Sequence, residues 1–584
     1  MTGATSGGQR RWPLVLVVVL ALVVHAPALA WGFFADDHGL LLVLEHPLEH
    51  PTLRPWSLFD FGGVPATGRE HDASNLLPWW TSPDWKTRFF RPITSVTHAL
   101  DFASYGREAV LHHATSFALY AVLLLLLHAL YLGAGLSRSV ALWALAVFAF
   151  EDGSFLPVCW LANRSTLIEA VFAVAAVLHL MRGLPSPSLG RIVVALGLAL
   201  AACLSKESGV VTFAALAMQL AIAARATRDG AARRRLSTFA AVAALLGVAY
   251  VAAYVAIGYG TRSLFYLTPW SHPVEFAGRA LVMIVLGAQG ALGPFSVDTA
   301  MYFPALFVPW IAIALCVATP VAIAIYRAER GLPQGLFFAA WSFLAVLPQA
   351  GTMPSDRLLF IPMIGLAPWI GAFARRALTP APWRRRWLPA LVALGALPAS
   401  GLSSFGRCAW FAPIIDKINR AATSAEVPRD GTRCDALIFQ TGSMLSMLAP
   451  DPMWISLTGI EAVRFHPIQA ARAALRITTE SARAFEVESL DRPLLGTPFE
   501  EVFLSSRAPP PVGTLRHGRG FEVEIRRVDE HGLRAIRVVL DEPIASARWR
   551  FLTWRDGAFR AFSLPEIGAT LELPECEPLD PLLP

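Results

Sequence analysis

The sequence predicts an all-α polytopic membrane protein that carries a C-terminal α+β domain outside the bilayer. Of its 584 residues, 55% are hydrophobic and 16% are charged, and a mean hydropathy of +0.50 is too apolar for a soluble protein of this length. Apolar segments recur as far as residue 404, and the composition becomes polar beyond it. The chain therefore divides into a multi-helix membrane domain at 1–404 and a C-terminal α+β domain at 405–584.

The basic character of the chain does not indicate a nucleic-acid partner. The sequence pI is about 9.1, but the arginines fall in short clusters between apolar segments, as the positive-inside rule expects of a membrane protein. The lipid bilayer is therefore a predicted partner, and no nucleic-acid role is assigned.

The first apolar segment, Trp12–Trp31, is about as long as a bilayer core is thick. Arg10 and Arg11 precede it and predict a cytoplasmic N-terminus, so residues 32–109 form a long outer loop. A signal-peptidase-like Ala-Leu-Ala ends the segment, but its length favours an uncleaved anchor. Four tryptophans of this loop suit either the lipid headgroup region or ordinary loop packing: Trp56, Trp79, Trp80 and Trp85.

Ten further apolar segments follow, which makes about eleven predicted spans. Arginine-rich connections mark the inner side of the membrane. A Gly- and Ala-rich segment at 279–296 is predicted to be re-entrant or interfacial, because a full crossing would place Arg327 and Arg330 outside. The ten segments are residues 111–132, 139–150, 163–181, 191–205, 208–224, 236–258, 304–326, 334–350, 358–374 and 387–404.

The C-terminal domain is predicted on the same outer side as the first loop. Alternating apolar residues predict strands at Phe521–Ile525, Ala535–Leu540 and Ala547–Phe551. The stretch Ile460–Phe485 is predicted to be partly helical.

The sequence predicts no metal site. The six cysteines show no Cys-x-x-Cys spacing, and the His- and Glu-containing stretch at 45–50 is interrupted by Pro47. A requirement for a divalent cation stays open. Cys408 and Cys434 are the nearest pair for a disulfide if the compartment is oxidising.

Two adjacent carboxylates follow the first span, in the stretch Trp31–His38 with the sequence Trp-Gly-Phe-Phe-Ala-Asp-Asp-His. Asp36 and Asp37 therefore lie just beyond the membrane edge, where chemistry on a lipid-borne substrate is feasible. Solvated charges at a helix end are the alternative interpretation.

Three further charged motifs are predicted on the same membrane face. They are Glu151-Asp152 with Arg164, Lys206-Glu207, and Asp356-Arg357. Acids and bases at a lipid boundary are costly unless they pair or bind a substrate. Transfer of a group from a lipid phosphate needs this mixture, because a carboxylate takes the proton of the attacking hydroxyl and cations hold the departing phosphate.

Five motifs occur in a characteristic order along residues 36–362. They are Asp36-Asp37, Phe90-Arg91-Pro92-Ile93 with the later Asp101 and His112-His113, Trp160-Leu-Ala-Asn-Arg164-Ser-Thr-Leu, Leu204-Ser-Lys206-Glu207-Ser-Gly209, and Asp356-Arg357-Leu-Leu-Phe-Ile-Pro362. This order resembles that of the GT-C superfamily of glycosyltransferases, and is similar to the membrane part of the tetratricopeptide-containing O-mannosyltransferases and their bacterial relatives. The resemblance implies a polyprenyl-phosphate sugar as donor.

The sequence departs from that family in two places. The second outer loop lacks the family's His-Pro-x-His-x-Glu run, so Glu151 and Asp152 either replace its acid or leave that role absent. The tetratricopeptide repeats are missing and the C-terminal domain is different, so the resemblance does not imply an acceptor.

The resemblance and the chemistry together assign candidate roles. Asp36 or Asp37 is the candidate general base, and Lys206 and Arg357 are candidates to hold the lipid phosphate. The plain alternative for these two cations is an ion pair with Glu207 or Asp356 at a helix end.

Other candidates are weaker. Arg91 and Arg164 are further phosphate candidates, and contacts with lipid headgroups are their alternative. His112 and His113 open a helix, where His113 either orients an acid or is simply solvated.

The leading hypothesis is an inverting glycosyltransferase that moves a sugar from a polyprenyl phosphate to an acceptor on the outer face of a bacterial inner membrane. One rival is a transporter or flippase of lipid-linked glycans, although the chain lacks the paired inverted halves typical of transporters. The other rival is an inactive GT-C-like scaffold that presents the C-terminal domain.

Overall fold

The computed structural model of the chain describes residues 12–46, 53–63, 77–293, 295–447 and 450–580. Its described α-helices, α1–α20 in chain order, are Trp12–His25, Asp36–Glu45, Pro92–Tyr105, Ala109–Gly133, Arg138–Phe150, Phe155–Cys159, Arg164–Met181, Leu189–Ser205, Val211–Ala226, Gly230–Ala256, Pro273–Gly290, Val297–Tyr302, Pro304–Ile313, Thr319–Glu329, Gly335–Gln349, Phe360–Arg375, Trp383–Leu394, Ser400–Thr423, Pro450–Thr458 and Pro498–Glu501. Its described strands, β1–β13, are Asp60–Gly63, Lys86–Arg88, Gly260–Arg262, Cys434–Ile438, Val463–Pro467, Leu475–Ser481, Ala484–Ser489, Leu515–Gly518, Phe521–Asp529, Gly532–Leu540, Trp549–Arg555, Ala558–Phe562 and Thr570–Leu573.

The predicted apolar segments are helices. Within the described residues, eight helices are long and apolar enough to cross a membrane, or nine if the bent pair Arg138–Phe150 and Asp152–Cys159 is one span. Two shorter apolar helices, α8 and α15, add to them. Each of the eleven predicted segments corresponds to one of these helices, so the chain is an integral membrane protein and the predicted fold class is confirmed.

The chain divides into two compact units. The first, called the helical unit, contains the first span together with Phe89–Tyr259 and Pro269–Ala412. The second, called the mixed unit, takes its described residues from Gly32–Arg88, Gly260–Thr268 and Pro413–Pro584. Residues of the long first loop therefore fold in the same unit as the strands of the C-terminal domain.

Close backbone approach holds the helical unit together. A Cβ at Gly371 of α16 would lie 2.5 Å from the backbone nitrogen of Ala144 in α5. A Cβ at Gly365 would lie 2.1 Å from the carbonyl oxygen of Phe338 in α15. Because no side chain fits at either contact, small residues let α16 pack directly against two neighbouring helices, as is common between membrane helices.

Three sheets form in the mixed unit. The largest has the order β13-β6-β7-β10-β9-β8 and is antiparallel. A four-stranded sheet has the order β12-β11-β4-β5, in which β4 runs parallel to both of its neighbours. Strands β1, β2 and β3 form the third sheet. The predicted strands in 521–525, 535–540 and 547–551 thus lie in β9, β10 and β11.

The prediction of a partly helical stretch at Ile460–Phe485 is wrong. This stretch contains β5 and β6 and the start of β7. In β5 and in the first five residues of β6, every second side chain is buried, and this period of two is that of a strand with one face on the core. The apolar side chains between the strands obscured the alternation in the sequence.

Three loop tryptophans are core residues, so the headgroup interpretation is wrong for them. Trp79, Trp80 and Trp85 are each 2–3% exposed. The indole of Trp79 donates to the carbonyl oxygen of Ile468 over 3.2 Å, and that of Trp85 donates to the carbonyl oxygen of Val502 over 2.8 Å. The alternative of loop packing is therefore correct for these three, because they complete the core of the mixed unit. Trp56 remains 61% exposed.

The predicted disulfide between Cys408 and Cys434 is absent, since both are free cysteines. The Sγ of Cys408 instead lies 3.5 Å from the Sγ of Cys159 in the helical unit. Cys434 opens the buried strand β4.

A buried ion pair in the mixed unit predicts acid sensitivity. Burial raises the pKa of Asp435, but hydrogen bonds from His466 and Arg548 outweigh it and lower the pKa to about 2. A folded pKa below the unfolded value gives stability that is present above about pH 4 and is lost as the pH falls towards 2. We expect a loss of about 2 kcal/mol over this window.

Hydrogen exchange of the strand Cys434–Ile438 in the full chain measures this loss, after correction for the intrinsic exchange rate. The variant Asp435→Asn should show a smaller decline in protection between pH 4 and pH 2 than the wild type. An equal decline in both proteins would contradict the assignment to Asp435.

Candidate functional site

Lys206 lies where the chain leaves helix α8 and enters a short helical turn at Glu207–Val210. Its backbone is extended, and its amide donates to the carbonyl oxygen of Ala202. A Cβ at Gly209 would lie 2.4 Å from the carbonyl carbon of Ala202. Only glycine lets this turn pack against the helix end, which accounts for the Lys-Glu-x-Gly spacing and fixes the Lys206 backbone.

The Lys206 ammonium binds a hydroxyl that belongs to a short hydrogen-bonded chain. Nζ donates to Oγ1 of Thr166 over 2.8 Å, and Thr166 donates to Oδ1 of Asn163 over 3.1 Å. The buried carboxylate of Glu169 lies within electrostatic range of Lys206 and accepts a hydrogen bond from Ser208 over 2.7 Å. The start of α7 therefore positions Lys206.

Arg91 and Glu207 form a bidentate ion pair. Nε and Nη2 of Arg91 donate to the two oxygens of Glu207 over 2.8 and 2.6 Å. Arg91 directly precedes Pro92, and proline at the first position of a helix fixes the helix start. The pair therefore ties the beginning of α3 to the turn that follows α8.

Arg357 completes a group that we call the Lys206 cluster: Arg91, Lys206, Glu207 and Arg357. Its guanidinium lies 5.8 Å from the ring centre of Trp160 and within electrostatic range of Lys206. By formal charge and with Glu169 included, three cations and two carboxylates leave one positive charge in excess. A phosphodiester monoanion has the charge and the acceptor oxygens that suit such a group.

Three other carboxylates converge on Arg407 of helix α18 and form what we call the Arg407 network: Asp152, Asp298, Asp356 and Arg407. Its Nη1 donates to Asp356 over 2.8 Å, and its Nη2 donates to Asp298 over 2.6 Å. Asp152 lies 3.7 Å from Nη1 and accepts hydrogen bonds from the hydroxyls of Ser403 and Ser404. The buried carboxylates of the network are thus compensated by a single guanidinium and by hydroxyls.

Glu151 and Asp356 reach this region through backbone contacts. Glu151 accepts the amide of Gly153 over 2.8 Å and caps the turn Asp152–Ser154. Asp356 accepts the amide of Val297 over 2.6 Å. A Cβ at Gly153 would lie 2.8 Å from the carbonyl oxygen of Asp356, so the two turns are in direct contact. The predicted second-loop acids therefore lie beside Asp356.

Arg164 is fully buried, and each of its three guanidinium nitrogens donates a hydrogen bond. Its guanidinium donates to Asp101, to the hydroxyl of Ser116 over 2.9 Å and to the carbonyl oxygen of His112 over 2.6 Å. His113 is also buried and packs edge-on against Trp31 at 6.4 Å. In this arrangement Arg164 compensates the charge of Asp101 and joins helices α3, α4 and α7.

The predicted catalytic acids lie in the mixed unit, in the first turn of helix α2. Asp36 is half-buried, whereas Asp37 is 3% exposed. Oδ2 of Asp37 accepts the amide of Phe34 over 3.0 Å. A carboxylate at a helix N-terminus is stabilised by the unpaired amides and by the helix dipole.

The structure brings the predicted residues together in separate groups. Lys206, Glu207, Arg91 and Arg357 form the first group, and Glu151, Asp152 and Asp356 form the second. Sequence reasoning missed the partners of both groups, namely Arg407, Asp298 and Glu169. Thr166, which contacts Lys206, lies three residues before Glu169 on helix α7. This spacing places Thr166 and Glu169 on one helix face.

The mixed unit contains a further polar cavity of about 230 Å³. Two of its charged groups are paired within the unit, since Asp435 binds His466 and Arg548, and Arg464 lies 3.9 Å from Asp451. Its lining is Arg433, Asp435, Glu461, Ala462, Arg464 and Arg519. Among the described residues of the whole chain, no three His, Cys, Asp or Glu side chains are arranged to hold a metal ion.

No protein-family model matches the chain, and no curated protein matches its sequence. Solved structures with some likeness include the oligosaccharyltransferase of Archaeoglobus fulgidus in its apo form, with a TM-score of 0.42 and 11% identity over 80% of this chain. The same enzyme tethered with an acceptor peptide gives a TM-score of 0.37 and 12% identity over 79% of this chain. This chain spans 66% and 64% of those two chains, which is less than two thirds.

ArnT from Cupriavidus metallidurans bound to undecaprenyl phosphate gives a TM-score of 0.40 and 15% identity, over 79% of this chain and 86% of ArnT. At TM-scores below 0.5 these superpositions place no residue of this chain on a residue of either protein.

Proposed function

We propose that this protein is an inverting membrane glycosyltransferase that moves a sugar from a polyprenyl-phosphate donor to an acceptor hydroxyl. The observation that carries the proposal is the Lys206 cluster, with its single excess positive charge in a unit of membrane-spanning helices. A lipid-linked phosphodiester brings both an apolar tail for such a unit and one negative charge for the cluster.

In this mechanism the acid pair supplies the base and the Lys206 cluster holds the phosphate. A carboxylate of the acid pair takes the proton of the acceptor hydroxyl, and the oxygen attacks the anomeric carbon on the side opposite the phosphate. The bond between that carbon and the phosphate oxygen breaks, and its electron pair stays on the polyprenyl phosphate. Lys206 and Arg357 stabilise the charge that develops on the phosphate, and Arg91 holds Glu207 beside them.

Exposure favours Asp36 as the base. The carboxylate of Asp37 is buried and accepts the Phe34 amide, whereas that of Asp36 is half-buried. Asp37 then serves to hold the turn. Under the charge rule this chemistry takes place on the outer face, with the C-terminal domain in the periplasm of a bacterial cell.

Removal of one cation of the cluster should weaken binding of the lipid phosphate. We expect Arg357→Gln and Lys206→Met each to raise the Kd for undecaprenyl phosphate about 10- to 100-fold, because a charge-assisted contact contributes about 1.5–3 kcal/mol. Binding of this lipid to the full chain in detergent micelles is the measurement.

Arg327→Gln provides the matched control, since Arg327 is an exposed arginine near the end of helix α14. This variant should bind like the wild type. If Arg357→Gln and Lys206→Met bind the lipid with the affinity of the wild type, Arg357 and Lys206 do not hold the lipid phosphate. Melting temperatures of all variants identify any that fail to fold.

A further inference from the structure

The segment Phe33–His38, called the acid turn, links the first span to helix α2 and carries the acid pair in the first turn of that helix. Its backbone is strained at Ala35, where φ is +49° and ψ is −113°. A non-glycine residue in such a conformation costs on the order of 1–3 kcal/mol and persists only where its surroundings hold it. The acid turn therefore needs external support.

That support comes from two residues of the same unit, Asn419 and Ser456. Asn419 of α18 contacts both ends of the acid turn, because its Nδ2 donates to the carbonyl oxygen of Phe33 over 3.2 Å and its Oδ1 lies 3.3 Å from Nε2 of His38. Ser456 of α19 lies on the other side, with its hydroxyl 3.0 Å from Nδ1 of His38. His38 is 1% exposed, so these contacts are shielded from water.

The contacts define which ring nitrogen carries the hydrogen when the imidazole is neutral. The carboxamide oxygen of Asn419 only accepts hydrogen bonds, so Nε2 of His38 carries the hydrogen and donates. In a neutral imidazole Nδ1 is then an acceptor, and it receives the hydroxyl hydrogen of Ser456. Each polar atom of His38 and of the Asn419 amide thus has a complementary partner.

We infer that Asn419 and Ser456 position the acid pair, acting through His38 and the Phe33 carbonyl, and that the C-terminal part of the chain thereby sets the geometry of the base. The inference rests on the proposed function, because it concerns the residues that hold its base. Asn419 and Ser456 are positioning residues, since neither is adjacent to Asp36 in the chain and both act through the acid turn.

The test compares Asn419→Ala and Ser456→Ala with Thr423→Ala and Thr458→Ala. The two control threonines lie on the same helices, and each donates a hydroxyl hydrogen bond to a backbone carbonyl, on Asn419 or Trp454 respectively. Assays use full-length protein in detergent and the most active member of a panel of synthetic polyprenyl-phosphate sugars. We expect both positioning variants to lower kcat about 10- to 100-fold with KM for the donor unchanged.

Additional readouts separate positioning from stability. Melting temperatures of the positioning variants should match those of the controls, and Ser456→Thr should restore kcat because it restores the hydroxyl. Wild-type kcat in Asn419→Ala and Ser456→Ala, with Asp36→Asn inactive, would overturn this inference and leave the proposed function intact. Equal losses in the threonine controls would also overturn it.

Failure of the proposed function gives a different result. In that case either the wild type turns over no member of the panel, or the double variant Asp36→Asn, Asp37→Asn keeps full activity, whatever the positioning variants show. The two outcomes are therefore distinguishable within one set of proteins.

Discussion

Asp36→Asn should reduce sugar transfer roughly a thousandfold while leaving the protein folded, because an amide cannot take the proton of the acceptor. Asp37→Asn should have a smaller effect, since an amide oxygen still accepts the Phe34 amide that the Asp37 carboxylate accepts now. The double variant should show no transfer above background. The loss expected for Asp36→Asn is the largest effect on activity that we expect from any single substitution.

Release of polyprenyl phosphate from the panel of synthetic polyprenyl-phosphate sugars, with purified protein in detergent, measures this effect. Asp416→Asn is the control, because Asp416 is an exposed carboxylate on helix α18 that pairs with Arg420 one turn away. A transporter would release no product in the absence of a sealed membrane. Product release by the wild type together with full activity of the double variant would exclude the acid pair as the source of the base.

The largest effect on stability is expected for Arg407→Met. This change leaves Asp152, Asp298 and Asp356 without the guanidinium that compensates them, and loss of one partner from a buried ion pair costs about 3–5 kcal/mol. All three carboxylates are buried. We therefore expect a marked decrease of the melting temperature in detergent, with Arg407→Lys intermediate because lysine keeps the charge but lacks the two separate nitrogens that donate to Asp356 and Asp298.

Arg420→Met is the matched control on the same helix. The ion pair of Arg420 with Asp416 is exposed, with 65% of each side chain accessible, and exposed pairs contribute about 0–1 kcal/mol. The control should therefore melt like the wild type. If Arg407→Met and Arg420→Met melt at the same temperature, the Arg407 network does not stabilise the helical unit.

The sequence predicted the helices well because their signal is local. Each of the eleven apolar segments is continuous, and burial in lipid leaves the backbone no alternative to a helix. The strands β9 and β10 were predictable for a similar reason, since buried and less buried side chains alternate through most of each strand. The stretch from β5 to β7 was wrongly predicted to be partly helical because its short strands are separated by apolar turns.

The Lys206 cluster was partly predictable. Arg91, Lys206 and Arg357 each belong to a motif, and their assembly follows from the order of the motifs along the chain. Arg407 was missed because the last span was ended at residue 404, whereas helix α18 continues to Thr423. The signal was present, since Ile414, Ile415, Ile418 and Ala421 are spaced for one helix face and all are buried.

The roles of the loop tryptophans and of the acid turn required the structure. Trp79 and Trp80 are of a residue type that is common at membrane interfaces. Only their contacts with residues more than three hundred positions later in the sequence, such as that of Trp79 with Ile468, show them to be core residues. The same holds for His38, whose partners Asn419 and Ser456 come from distant helices. Pairings across such distances leave no pattern in a single sequence.

The mixed unit is discontinuous, and this has a consequence for biogenesis. Its first stretch ends at Arg88, its second is the short Gly260–Thr268, and its third begins only at Pro413. Trp79, Trp80 and Trp85 are therefore synthesised long before the core that buries them. Their side chains stay exposed until the ribosome has completed nearly every helix. A chain halted before Pro413 would keep its spans yet expose three indoles, which makes early truncation products natural substrates for chaperones and proteases.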